Sequence, residues 1–162
     1  MARAAVLVLS LLLAGCVPSL HPLYTEKDLV YDAALLGVWV DDEGRTSWTV
    51  KRAGDKSYML MAIDEKGHAR HYEGHLLDLG KHRFLDLLPE KPEVEDYHLI
   101  RAHTFYRIWA YGDTFRLAGL DPDWIRKRKI AIRHELLPPK GMLLIAPTKS
   151  LQEFALQYAE DA

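Results

Sequence analysis

The stretch GVWVDDEGRTSWTV, residues 37–50, decides the fold. Val38–Val40 is apolar, and Asp41-Asp42-Glu43-Gly44 is turn chemistry. Thr46, Trp48 and Val50 then alternate with Ser47, Thr49 and Lys51. A period of two is the mark of a half-buried strand, since successive side chains point to opposite faces. The stretch therefore predicts two strands joined by a short turn.

The same grammar continues downstream. Ala53-Gly54-Asp55-Lys56 turns into a strand at Ser57–Ile63, Glu65-Lys66-Gly67 into Ala69–Leu79, and Gly80-Lys81-His82 into Arg83–Leu88, ended by Pro89. A polar connection with Pro92 precedes a long strand, His98–Tyr111, and Gly112-Asp113 closes a hairpin onto Thr114–Leu120. Strands about ten residues apart with turns between them indicate an antiparallel barrel or sandwich. Upstream, Asp32 can cap one helical turn that Gly37 ends.

The last third is mixed. Asp121-Pro122 predicts a capped helix to about Lys129, and Arg133–Leu137 and Met142–Ala146 a hairpin. A final helix starts near Lys149, with Thr148 as a cap or Ser150-x-x-Glu153 as a capping box. Leu151, Phe154, Ala155 and Tyr158 form the stripe of a helix docked on a sheet. The expected fold is mainly β with short helices: an antiparallel barrel, half-barrel or sandwich, calycin-like, with a C-terminal helix packed on the sheet. Residues 32–162 form a single domain in this reading.

The chain begins differently. Arg3 precedes an apolar run, Ala4–Leu13, broken only by Ser10. That run is too short to cross a bilayer, which takes about 20 apolar residues. A charged start, a short apolar core and small residues make a secretory signal. Its end, Leu13-Ala14-Gly15-Cys16, resembles the lipobox of bacterial lipoproteins. The resemblance implies a signal peptide at residues 1–15, cleavage before Cys16 and acylation of Cys16, by palmitate among other chains. Residues 16–31, with Pro18 and Pro22, then read as a lipidated N-terminus and tether. Val17 stands where an aspartate tends to retain lipoproteins in the inner membrane. The resemblance therefore implies the outer membrane, facing the periplasm. With S-L-x-P-L-Y after the cysteine, the chain also resembles small envelope lipoproteins of unassigned function.

Charge agrees with an envelope role. Loss of Arg3 from the 21 basic side chains leaves 20 against 23 acidic ones. Such a balance lacks the basic footprint of a nucleic-acid partner. Cys16 is the single cysteine, so no disulfide can form within the chain.

Gly37-Val38-Trp39 resembles the G-x-W signature of lipocalins, in which the tryptophan plugs the closed end of an up-and-down barrel. No T-D-Y motif accompanies it, the long helix follows the last strand, and no clear arginine lies where one should cover Trp39.

Chemistry-bearing motifs are sparse. His71 and His75 on one strand lie about 13 Å apart, and Zn–N bonds are only ~2.0–2.1 Å, so the pair cannot share an ion. His98 and His103 have opposite parity, and the eight histidines are read as surface residues. No nucleophile elbow, zincin helix or phosphate loop is present. Asp121 and Asp123 are explained by capping. Arg126-Lys127-Arg128-Lys129, with Arg133, reads as a solvated face, the alternative being contact with anionic headgroups. No enzyme activity, cofactor or metal is expected.

Two functions follow. In the first, the protein is a structural or interaction module with an envelope protein partner, its strand aromatics forming a filled core. In the second, it binds a lipid or other apolar ligand in a cup lined by Trp48, Tyr58, Leu60, Phe105, Trp109 and Phe115. Aromatics at strand parity more often fill cores, which favours the first.

Overall fold

The computed structural model describes residues 17–91, 99–111 and 113–161, together with the backbone of residues 5–8. The lipobox residues Leu13, Ala14, Gly15 and Cys16 lie outside the described residues, as do Pro92, His98 and Gly112.

Two short strands come first, β1 (Ala5–Val8) and β2 (Leu29–Val30). They are followed by β3 (Gly37–Asp41), β4 (Ser47–Arg52), β5 (Tyr58–Ile63), β6 (Ala69–Leu79), β7 (His82–Pro89), β8 (Thr104–Tyr111) and β9 (Thr114–Ala118). From β3 to β9 each strand pairs antiparallel with the next. The result is a meander of seven strands, curled into a half-barrel. β1 lies between its two edges, parallel to both β3 and β9. β2 continues the line of β5 by pairing with the far half of β6, at Leu77 and Leu76. The expected β class is what the chain adopts. The strand expected from His98 begins instead at Thr104.

Curvature needs small residues where neighbouring side chains converge on the inside. On β6, a Cβ added at Gly74 would lie 2.3 Å from Leu60 Cδ1 and 3.3 Å from Leu87 Cδ2. Glycine alone lets those two leucines meet over the strand.

One end of the half-barrel is closed by the turn at Ala33–Leu35. Asp32 caps it, accepting from the Ala34 N–H at 2.9 Å. The Trp39 indole N–H donates to the Leu35 carbonyl at 2.9 Å, and its ring meets Phe115 edge-on at 4.5 Å between centroids. The Tyr58 hydroxyl accepts from the Asp32 N–H at 2.7 Å, tying the same turn to β5. Gly37 follows with φ of +132°, a backbone region that L side chains rarely adopt.

The rest of the chain forms a layer outside the sheet: α1 (Pro122–Lys127), β10 (His134–Leu137), β11 (Gly141–Leu144) and α2 (Thr148–Gln157). Leu77, Leu79, Phe84 and Phe105 point outward from β6, β7 and β8 into a core shared with Ile125, Met142, Leu144, Leu151 and Phe154. The C-terminal helix packs on the sheet through Leu151, Phe154 and Ala155, as its stripe indicates. Neither expected cap forms. Pro147 occupies the N-cap position, and the Thr148 hydroxyl donates instead to the Pro22 carbonyl at 2.8 Å.

Residues 17–31 are not a free tether. Val17, Ser19, Leu23 and Leu29 are buried. Ser19 and His103 exchange backbone hydrogen bonds at 2.7 and 2.8 Å, and Leu144 N–H donates to the Pro18 carbonyl at 2.9 Å. Pro18 and Pro22 keep the segment extended, but its apolar side chains gain more by joining the outer core than by staying in water.

A hollow half-barrel as the candidate functional site

Two cores result, one on each side of the sheet. The outer one packs the C-terminal layer and the N-terminal segment against the sheet. The inner one, held by Leu35, Trp39, Val50, Tyr58, Leu60, Leu76, Leu85, Leu87, Ile108, Phe115 and Leu117, surrounds a cavity of about 770 Å³. Small-molecule sites typically span ~300–1,000 Å³. The sequence reading favoured a filled core here, and the inner face is hollow.

Strand parity decides which side chains reach the cavity. Thr46, Trp48 and Val50 face it from β4 and the residue before it, Tyr58, Leu60 and Ala62 from β5, and Tyr106 and Ile108 from β8. Of the six side chains expected to line a cup, Trp48, Tyr58, Leu60 and Phe115 do so. Phe105 and Trp109 do not, because they have the opposite parity on β8. Phe105 belongs to the outer core. Trp109 lies on the outer surface between Arg107 and Arg116, whose guanidinium carbons stand 4.3 and 5.2 Å from its ring centre.

The wall is apolar with few polar groups. Tyr58 is fully buried, and burial pushes its phenol above the ordinary range. The Trp48 indole N–H is buried and, among the described residues, is the side-chain donor left without an acceptor. Trp48 also packs on Tyr72, ring centres 5.9 Å apart.

The mouth lies at the end opposite the Leu35 turn. Pro18, Asp64, His68, Arg70, Pro89, Glu90 and residues 99–102 surround it. Asp64 holds the β5–β6 turn by accepting from the Lys66 and His68 N–H groups, both at 2.9 Å. Arg101 donates to the Pro89 carbonyl at 3.0 Å. Leu99 and Ile100 stand beside it, 63 % and 74 % exposed.

A second polar cluster, not foreseen from sequence, sits outside the barrel beneath residues 17–24. Asp86 is 1 % exposed. One of its oxygens lies 2.7 Å from His103 Nδ1, and the other accepts the Leu23 N–H at 2.8 Å. Tyr24 covers the group, its ring 4.5 Å from that of His75. Burial, with the Asp86 charge second, pushes the Tyr24 phenol up to about 12. Burial likewise holds the His75 imidazole below its usual range. Buried histidines correct the expectation of surface ones, for His82 as well as His103. The nearby Ser19 is fully buried, and its hydroxyl donates to the His21 carbonyl at 2.8 Å. The cluster is a clasp for the N-terminal segment. An acid inside Phe84-Leu85-Asp86-Leu87-Leu88 was the signal for it, since a lone carboxylate in an apolar strand needs buried partners.

Arg126 donates to Asp123 and to the Lys140 carbonyl, while Arg128 pairs with Asp161 at 2.6 Å. These arginines hold the outer layer together. Among the described residues, no three His, Cys, Asp or Glu side chains gather as a metal site. None of the described helices is long and apolar enough to cross a membrane. Compared with protein-family models, curated proteins and solved structures, the chain has no significant match.

Proposed function

We propose that this protein is a lipid-anchored lipoprotein of the bacterial outer membrane, facing the periplasm, whose half-barrel binds a lipid or comparable apolar ligand. The hollow inner core carries the reading. A domain that serves only as a scaffold gains stability from close packing, and this one leaves about 770 Å³ open behind an apolar wall. Trp48, Tyr58, Leu60 and Phe115 supply aromatic and aliphatic surface for an acyl chain. The anchor is Cys16, acylated after removal of residues 1–15.

The test uses the domain expressed from Val17. Titration with a fluorescent fatty acid should quench tryptophan emission saturably. Ligand at a hundred times its Kd should add about 2.7 kcal/mol of stability and raise the melting temperature by several degrees. Ala62→Phe, which places a ring in the cavity, should weaken both responses. An unsaturable signal with an unchanged melting temperature would sink the proposal.

A further inference from the structure

The described chain enters the fold at the cup, whose lining includes Pro18. Pro18 is part of the rim, and Cys16 is two residues before it, a reach of no more than about 8 Å. The chain has no slack beyond that, because Pro18 and Ser19 are hydrogen-bonded to Leu144 and His103. An acyl anchor on Cys16 therefore holds the mouth, rather than the closed end, against the bilayer. The same rim carries Leu99 and Ile100, 63 % and 74 % exposed and adjacent in the chain. Two large aliphatic side chains placed beside an anchored mouth have a natural environment among lipid tails, where burial removes their apolar surface from water.

Resting on the lipoprotein reading of Cys16 and on the cup as the binding site, we infer that the open end docks on the anchoring membrane. Leu99 and Ile100 sit in its surface, so that a membrane lipid moves between bilayer and cavity without crossing water. The contact is apolar rather than electrostatic. Arg70 and Arg101 on the rim are balanced by Asp64 and Glu90, and His68 is paired with Asp64 at 3.2 Å. Salt should leave it in place, unlike a polybasic patch.

The full-length lipidated chain, reconstituted in phosphatidylethanolamine–phosphatidylglycerol vesicles, tests this. Cysteine is introduced singly as Leu99→Cys, Ile100→Cys or Met59→Cys and labelled with an environment-sensitive dye. Met59 is 51 % exposed and lies on β5 near the closed end. The dye at 99 and 100 should shift to the blue and be quenched several-fold more strongly by spin-labelled lipid than the dye at 59, at low and high salt alike. Equal quenching at all three positions would overturn the orientation, even if the soluble domain binds fatty acid. Labelling of the wild-type chain at a free Cys16 thiol would overturn it together with the anchor. Strong quenching at 99 and 100 beside a domain that takes up no fatty acid would keep the docking and overturn the passage of lipid into the cup.

Discussion

Asp86 accepts one bond from a backbone N–H sixty-three residues earlier and stands against His103, seventeen residues later. It therefore joins three parts of the chain that no local interaction brings together. Removing its carboxylate leaves the Leu23 N–H and His103 buried without partners, at about 1–3 kcal/mol for each group. Asp86→Ala should accordingly lower stability by about 2–6 kcal/mol, read as a drop in the urea midpoint, with Asp86→Asn losing less. A wild-type midpoint for Asp86→Ala would show that the clasp does not secure the N-terminal segment. The same residues show where sequence reading stops. On β8 both faces are buried, Ile108 within the cup and Phe105 against α2. A strand with apolar side chains on both faces carries no sign of which is inside, and Phe105 and Trp109 lie outside the cup that the sequence pattern suggests for them. Trp39 is fixed by a local contact, its indole N–H donating to the carbonyl of Leu35 four residues earlier.

Turns and period-two runs made the strands legible. Ala69–Leu79 matches its expected bounds, because Gly67 and Gly80 punctuate it with positive φ. Pairing across the edges was not legible, since the apolar run Ala4–Leu13 reads as a signal rather than as a strand. β1 occupies the gap between β3 and β9, with Ala5 opposite Trp39 and Leu7 opposite both Asp41 and Phe115. If residues 1–15 are removed on export, two strand edges lose their partner and their backbone groups turn to water. Amides of Trp39–Asp41 and Phe115–Arg116 that face β1 should then exchange hydrogen faster in a chain starting at Val17 than in the uncut precursor. Those of β5, paired on both sides, should be unchanged. Equal protection of β3 and β9 in both forms would show that the leader is not seated there.

A hollow was the least legible feature, because volume depends on how tightly seven strands curl and not on which residues alternate. Trp48, Tyr58 and Phe115 would suit a filled core as well as a lining. What the fold adds is a division of labour between the two faces of one sheet. The outer face carries the packing, with α2, β11 and the clasped N-terminal segment over Phe84 and Phe105, so the inner face is free to stay open. The proposed anchor would be a covalent modification of Cys16, so it can be tested apart from the fold. Cys16→Ser should therefore abolish incorporation of labelled palmitate and leave residues 1–15 uncleaved by the lipoprotein pathway. Expressed from residue 16 without the leader, the same variant should match the domain expressed from Val17 in fatty-acid binding and melting temperature. Continued palmitate labelling of Cys16→Ser would refute the lipobox reading. A domain that unfolds once the thiol is replaced would show that Cys16 belongs to the fold rather than to the lipid.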